Sequence, residues 1–451
     1  MTQTSTTHTH WKTLVVGLGI TGLSVARYLE SQGIAFAVVD SREDPPGKDE
    51  LIKNFAEAPY FFGEFAKAAD WFEQAQTLVV SPGIAVATPE IHAAKLRGAE
   101  VIGDIELFVR EAKAPIVAIT GSNGKSSVTT LVDLMAKQSG RQSLAGGNLG
   151  YAALDLLDLP VPDVYVMELS SFQLETTFSL RAASAVILNV SEDHMDRYAS
   201  YADYAASKQV IYQNCGCAVL NRDDALVMQM APATSPQVSF GLDVPAAGQY
   251  GIREHEGKTW LAKGDALLLA TTEMKLPGSH NHANALAALA LGEAVNLPLQ
   301  GMLAALREFA GLPHRTQWVR ERQGVFWYDD SKGTNVGATL AALQGLPGKT
   351  VLIAGGIGKD ADFAPLGPAI QTKARAVVLI GRDAPLIAQV VDASVPVYYA
   401  QNMEEAVQRA ADCALAGDNV LLSPACASFD MFKNYNHRGD VFNAAVRSLP
   451  A

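Results

Sequence analysis

The stretch Thr120-Gly-Ser-Asn-Gly-Lys-Ser-Ser127 decides how this chain is read. The apolar run at 115–119 before it has the character of a buried parallel strand. The periodic segment 128–138 after it reads as a helix closed by Gly140. Strand, glycine-rich turn, Lys-Ser and helix form a phosphate-binding order, because backbone N–H groups and the positive helix end face the anion. In that order Lys125 reaches the outer phosphates and the Ser126 hydroxyl serves Mg²⁺. The loop is shorter than the general motif, which has glycine where Ile119 stands.

Downstream, Gly146-Gly-Asn148-Leu-Gly150 is a loop of permissive backbone. A strand at 163–167 then delivers Glu168-Leu-Ser-Ser171. An acid at a strand end beside a phosphate loop is placed to hold Mg²⁺, directly or through water. The strand 185–188 runs out into Asn189-Val-Ser-Glu-Asp-His194-Met-Asp-Arg197. His194, among carboxylates, reads either as a metal ligand or as a residue that orients a substrate. A helix at 201–213 carries Lys208, which periodicity alone puts on the surface. Residues 216–275 alternate short strands and turns, and Gly278-Ser-His-Asn-His-Ala-Asn284 opens a helix at 285–294. Asn281 and Asn284, three apart, share a face and read either as helix caps or as readers of a base or ribose. His280 and His282 lack the spacing of a helical metal pair.

Upstream, a strand at 13–16 runs into Gly17-Leu-Gly-Ile-Thr-Gly22, a helix to Gly33 and a strand at 35–39 ended by Asp40. That is a dinucleotide-type fingerprint with its acid at the end of the second strand. Arg42 follows, a residue type that pairs with phosphate or stacks on a base. A strand at 77–80 delivers Ser81-Pro-Gly83 to the edge where doubly wound sheets bind ligands. A helix at 89–97 and a strand near Val101 complete the unit. A third unit begins near Gly311-Leu-Pro-His314-Arg315. Its strand at 324–328 ends in Asp329-Asp-Ser-Lys-Gly-Thr-Asn335, and that at 350–354 in Gly355-Gly-Ile-Gly-Lys359. Strands at 376–380, 395–399 and 419–422 alternate with helices, and the last delivers Ser423-Pro-Ala-Cys-Ala-Ser428-Phe429. The expected fold is α/β in three domains: Rossmann-like over 1–110, a P-loop-type ATPase domain over 111–312, and a Rossmann-like doubly wound sheet over 313–451.

Composition bounds the function. A length of 451 residues suggests three domains, and 49% hydrophobic against 18% charged residues allows large cores. A net charge of −12 argues against nucleic-acid binding, and any phosphate must be held by local groups against the mean field. Four cysteines (Cys215, Cys217, Cys413, Cys426) without zinc spacing fit a reducing cytoplasm. No apolar run reaches the length of a membrane span. The segment 14–26 after Lys12 has some signal-peptide character, but glycines at 17, 19 and 22 fit a Rossmann start. The polar tail 1–10 is expected to fray, with His8 and His10 solvated. No heptad run appears, so a monomer is expected.

Together, Gly121-Ser-Asn-Gly-Lys-Ser126, Glu168-Leu-Ser-Ser171, Asn189 through Arg197, His280-Asn-His-Ala-Asn284, His314-Arg315 and Asp330-Ser-Lys332 make the chain resemble the Mur ligase family. These are the ATP-dependent amide-bond ligases of peptidoglycan precursor synthesis, cytoplasmic enzymes of cell-wall growth, cell shape and division, and the short phosphate loop is the family's own form. Within the family the chain is most similar to members that add D-glutamate to UDP-N-acetylmuramoyl-L-alanine. Three stretches carry that similarity: Gly17 to Gly22 with Asp40-Ser-Arg42, Glu168-Leu-Ser-Ser-Phe-Gln-Leu-Glu175, and Ser423 to Ser428 leading to Lys433-Asn-Tyr435.

The resemblance implies roles. Ile20, Thr21, Asp40, Ser41, Arg42 and Gly83 would hold the UDP part, with Asn148 and His194 near the muramoyl-alanine end. Gly121, Ser122, Asn123, Gly124, Lys125, Ser126 and Ser127, with Asn281, Asn284, Arg315 and Asp330, would serve ATP. Ser126, Glu168, His194 and a carbamylated Lys208 would serve two Mg²⁺ ions. Lys332, Thr334, Lys359, Ser428, Phe429 and Tyr435 would bind D-glutamate, and Lys125, His194, Lys208 and Lys332 would form the catalytic centre.

The chemistry explains why three domains are needed. A carboxylate does not acylate an amine at neutral pH, and phosphorylation by ATP supplies the leaving group. Three ligands must converge, and the acyl phosphate must be kept from water, so the third domain is expected to close over the central one. An NAD-dependent oxidoreductase, suggested by the first fingerprint, leaves Lys125, Glu168 and the third unit unexplained. Another amino-acid- or folate-specific ligase of the same family fits the short first unit and the Ser-Pro-Ala-Cys stretch less well. A non-catalytic ATP-binding regulator has no use for a second cluster at Asp330, Lys359 and Ser428.

Overall fold

A computed structural model describes residues 3–5, 11–276 and 278–450. His8 and His10 lie outside the described residues.

The first sheet contains β1 (Gln3–Ser5), β2 (Thr13–Val16), β3 (Phe36–Asp40), β4 (Tyr60–Phe62), β5 (Thr77–Val80) and β6 (Glu100–Ile102). Their order is β1-β4-β3-β2-β5-β6, parallel except for β1. Every residue of β3 is buried, and the strand reads as an apolar run over 36–39 ended by Asp40. The fingerprint turn needs its third glycine: a Cβ on Gly22 would stand 2.0 Å from the Gly17 carbonyl oxygen. The tail expected to fray departs from that expectation over Gln3–Ser5, which pairs antiparallel with Tyr60–Phe62. Edge pairing draws on backbone groups, so a polar segment can supply it.

The central sheet holds β7 (Ile116–Thr120), β8 (Ser143–Gly147), β9 (Val164–Glu168), β10 (Ser184–Ile187), β11 (Ala218–Asn221), β12 (Gln237–Phe240), β13 (Tyr250–His255), β14 (Lys258–Lys263) and β15 (Ala266–Ala270). The order is β15-β14-β13-β12-β11-β10-β7-β9-β8. β7 therefore lies where the strand order reverses, and the phosphate loop leaves its carboxyl end, the usual ligand edge of such sheets. The last three strands form an antiparallel extension.

The third sheet consists of β16 (Gln317–Arg322), β17 (Val325–Asp329), β18 (Thr350–Gly355), β19 (Ala374–Ile380), β20 (Val397–Tyr399) and β21 (Asn419–Leu422). Its order is β16-β17-β21-β18-β19-β20, parallel except for β16. Its loop-bearing ends deliver Asp330, Gly356 and Ser423 to one edge.

The two borders between sheets are built differently. One buried apolar cluster runs without a break from Val15 and Leu29 of the first domain through Phe108 to Tyr165 and Tyr204 of the central one. The helix Asp104–Glu111 lies at that seam. Phe108 is 0% exposed and meets the Tyr165 ring edge-on at 5.1 Å. Buried Glu106 accepts hydrogen bonds from the backbone N–H groups of Phe178 (2.7 Å) and Ser179 (2.9 Å). By contrast, the buried clusters of the third domain contain only its own residues. That domain meets the phosphate loop through polar side chains: Arg315 to Ser126 (2.6 Å), Asn335 to Asn123 (3.2 Å), and an ion pair between Lys359 and Asp193.

Candidate active site

The loop after β7 is shaped by two left-handed glycines, Gly121 (φ +151°) and Gly124 (φ +85°), the latter at the start of the helix Lys125–Gln138. Its backbone is pinned from one side by the segment after β10. Ser122 Oγ donates to the Ser191 carbonyl and accepts from the Ser191 N–H, both at 2.9 Å, while the Asn123 N–H donates to Asn189 Oδ1 (2.8 Å). Lys125 folds back on the loop, donating to the carbonyls of Gly121 (2.8 Å) and Ser122 (3.0 Å). Some of its surface stays open, yet the packing around its head group lowers its pKa, with Glu168 and Asp193 opposing the shift.

Two cavities flank this loop and share Asn123, Gly124, Arg315 and Lys332 as a common wall. The first, of about 320 Å³, is also lined by Ser127, Asn281, Asn284 and Asp330. The helix Ser279–Ala294 starts from Gly278 with no side-chain cap, so the capping reading of Asn281 and Asn284 gives way to placement in the cavity wall. A Cβ on Gly124 would lie 2.6 Å from Asn284 Oδ1, so a glycine at 124 lets these two elements approach. Burial pushes the Asp330 carboxyl up to about 7, against hydrogen bonds from Ser423 Oγ (2.7 Å) and the Thr316 N–H (3.0 Å).

The second cavity, of about 270 Å³, gathers Ser122, Lys125, Ser126, Asn148, Glu168, His194, Lys208 and Thr334. Glu168 accepts from Asn148 through one oxygen (2.7 Å), and its other oxygen is buried without a hydrogen-bond partner. An unpaired buried carboxylate oxygen fits a hard cation. Burial lowers the His194 pKa to about 4, which keeps its imidazole neutral near pH 7. Lys208 corrects the periodicity reading: it is 2% exposed, with its Nζ 3.1 Å from the Gly121 carbonyl and 4.6 Å from the Tyr204 ring centre. The helix Tyr201–Gln209 buries Tyr204, Ala205 and Lys208 on the face turned to the phosphate loop. Desolvation drives the Lys208 pKa well below the usual lysine value, with Lys125 adding to the shift.

Residues of the third domain line this region unevenly. Lys332 Nζ sits 4.0 Å from the Tyr435 ring centre, and burial followed by Arg315 and Lys125 brings its pKa down to about 8. Thr334 and Lys359 border a small cavity together with Asp193 and His194. Ser428 is buried and Phe429 is 72% exposed, and neither lines these cavities. In the first domain, Ile20 (77% exposed), Ser41 and Gly83 form an open ledge, with half-buried Thr21 beside it. Asp40 turns inward there. It accepts the Leu18 N–H (2.7 Å) and pairs with Arg42 (2.6 Å), so Arg42 faces a carboxylate rather than solvent alone.

Three residues escaped the sequence reading. Asp193 pairs with Lys359 under the third domain. Asn335 caps the helix Val336–Gly345 and also bridges Asn123 and Asp193. Arg438, 0% exposed, donates to Ser331 (3.0 and 2.8 Å) and to the Cys426 carbonyl (3.1 Å), tying together two strand-end turns. An arginine on the helix Tyr435–Ser448, four places after its capping Asn434, carries no local mark of burial. Asp193 stood among neighbouring acids with nothing to single it out.

Comparisons with known proteins agree with this geometry. The chain matches models of the Mur ligase MurD-like N-terminal domain over 11–103, the Mur ligase middle domain over 119–292, and the Mur ligase glutamate ligase domain over 314–426. It belongs to the Mur ligase family. It is 52% identical to a UDP-N-acetylmuramoylalanine–D-glutamate ligase of Nitrosococcus oceani, covering 97% of this chain and 96% of that one. It is also 52% identical to the ligase of that name from Pseudomonas aeruginosa, covering 97% and 98%. Its fold is shared with the UDP-N-acetylmuramate-alanine ligase MurC of Thermotoga maritima (TM-score 0.60, 21% identity, 97% and 99% covered). It is shared as well with the MurF ligase of Thermotoga maritima, solved in complex with ADP (TM-score 0.62, 17% identity, 93% and 97% covered). No described helix is long and apolar enough to cross a membrane.

Proposed function

We infer that this chain is an ATP-dependent ligase that adds D-glutamate to UDP-N-acetylmuramoyl-L-alanine in peptidoglycan precursor synthesis. The observation that carries the reading is one phosphate loop walled between two cavities, in a chain 52% identical along nearly its whole length to ligases of that name. The cavity of Asn281 and Asn284 suits a nucleoside, and that of Glu168 and His194 suits the reacting phosphoryl group.

In this reading Lys125 exchanges its two loop carbonyls for the γ-phosphate of ATP, and Arg315 turns from Ser126 to the phosphates. The substrate carboxylate attacks phosphorus in line and displaces ADP. The amine of D-glutamate then adds to the acyl carbon, and the tetrahedral adduct collapses with loss of phosphate. Lys332, poised between both cavities, stabilises negative charge at the acyl centre. Ser126, Glu168, His194 and Lys208 fit a site for two Mg²⁺ ions, which when bound supply positive charge to the phosphoryl oxygens. An ammonium cannot ligate a cation, but burial favours the neutral amine of Lys208, the form that takes up CO₂ to become an anionic carbamate.

The first-domain ledge of Ile20, Thr21, Ser41 and Gly83, with Asp40 and Arg42, would hold the UDP moiety, and Asn148 and His194 the muramoyl-alanine end. Lys332, Thr334, Lys359, Ser428, Phe429 and Tyr435 would receive D-glutamate. Domain limits at 110/111 and 312/313, a monomer and a cytoplasmic location complete the reading.

The test is phosphate release from ATP and Mg²⁺ with UDP-N-acetylmuramoyl-L-alanine, comparing D-glutamate with L-glutamate, L-alanine and a diamino acid. Release that requires D-glutamate is expected, and Lys125→Ala should lower it about 100- to 1,000-fold. Release that follows a different amino acid would overturn the assignment.

A further inference from the structure

The buried ion pair between Lys359 and Asp193 has no obvious structural need. Arg315–Ser126 and Asn335–Asn123 already join the third domain to the loop with uncharged acceptors. A desolvated ion pair is a costly way to add a further tie. The Lys359 end is held in a backbone conformation unfavourable for side-chain-bearing residues, with φ of +56° at both Lys359 and Asp360, and on the other side the residue after Asp193, His194, has φ of +58°. Asp193 is only 10% exposed at its side chain, and its second oxygen is shared by Asn335 (3.2 Å) and His194 (3.6 Å).

Its position is equally specific. Among the described residues Asp193 is the one acid that lines both the small cavity under the third domain and the larger one holding Lys125 and Glu168. An amino acid entering between them brings a carboxylate and an ammonium, each needing an opposite charge once desolvated. The structure already holds one cation and one anion there, matched to each other.

We propose that Asp193 and Lys359 are a separable pair that receives the charged head of the incoming amino acid, with Lys359 taking a carboxylate and Asp193 the ammonium. The inference rests on the ligase reading and adds a residue that the reading lacks. In the free protein the two side chains satisfy each other, and the zwitterionic head replaces each partner with its own group, so Asp193 and Lys359 are both paired before and after binding. Fixing the nitrogen at Asp193 places it against the wall of the cavity that the ligase reading assigns to the reacting phosphoryl group.

The test compares D-glutamate with glutarate, which keeps both carboxylates and lacks the amine. Binding is measured by equilibrium dialysis with UDP-N-acetylmuramoyl-L-alanine and a non-hydrolysable ATP analogue present. The natural chain should prefer D-glutamate by about 10- to 100-fold, the range of a charged hydrogen bond. Asp193→Asn should bring that preference to within about threefold. Lys359→Gln should weaken both ligands and keep the preference. If Asp193→Asn weakens both ligands equally, the residue is only a tie between domains and the proposal fails. Asp193→Ser repeats the measurement should the first variant fold poorly. Hydroxylamine offered to the natural chain with ATP and the sugar nucleotide should trap an acyl hydroxamate; none would sink the ligase reading itself, independently of Asp193.

Discussion

The central domain meets its two neighbours on opposite physical terms. Toward the first domain it shares a continuous apolar core, with Phe108 and Tyr165 in edge-to-face contact and Glu106 capping the loop at Phe178. Toward the third it offers polar side chains that water could replace one for one. Separating the first border would expose apolar surface at roughly 25 cal/mol per Å². Opening the second exchanges protein hydrogen bonds for water bonds at little net change. The first border is therefore a fixed joint and the second a reversible one, which suits a site that must admit three ligands and then exclude water.

The largest effect expected from disturbing this contrast lies at the fixed joint. Phe108→Ala should cost about 3–5 kcal/mol in denaturant unfolding, and the first two domains should lose stability together. Separate transitions, with only the first domain affected, would show that the joint is weaker than its burial suggests.

Next comes Asp104, buried in the same seam with one oxygen unpaired, whose carboxyl burial pushes up to about 6. Because the folded state holds this proton more tightly than the unfolded chain, its stabilising effect is complete below the ordinary value near 3.8 and is lost as pH rises through about 6. Stability should fall by up to about 3 kcal/mol across that window, and Asp104→Asn should flatten the decline. An unchanged slope in the variant would assign the pH dependence elsewhere.

At the reversible border the effect should appear in rate and shape rather than in stability. Asn335→Ser keeps a helix cap but cannot reach Asn123 and Asp193. Ligation should slow about tenfold and the radius of gyration with ligands bound should rise, while unfolding shifts by less than about 1 kcal/mol. A large stability loss with unchanged scattering would contradict a reversible border.

The smallest change should come from Arg27→Ala, which removes a half-exposed pairing with Asp155 across the fixed joint and another with Glu50 inside the first domain. Its cost should stay within about 1 kcal/mol and diminish further in high salt.

Much of this was legible in the sequence because parallel sheets bury whole strands and put their loops at one edge. Apolar runs such as 116–119, ended by glycine or an acid, located the ligand edges of all three sheets. The reading missed what depends on partners far along the chain. Lys208 looked like a surface residue because helical spacing reports a face, not what that face meets. The signal was there in part: Tyr201, Tyr204, Ala205, Ile211 and Tyr212 make a stripe with Lys208 as its one charged member. Asp193 and Lys359 are 166 positions apart and acquire meaning only when two domains touch. Asp40, read as a ligand contact, spends its carboxylate on the Leu18 N–H and Arg42, a use that the fingerprint alone does not reveal.

The shared wall of Asn123, Gly124, Arg315 and Lys332 bears on inhibitor design. A compound spanning both chambers would lie against four residues to which the proposed reaction gives roles, over a combined space large enough for a drug-sized molecule. On the proposed roles, a resistance mutation on that wall would disturb the handling of ATP and the acyl transfer together, whereas one lining a single chamber would leave the other function intact.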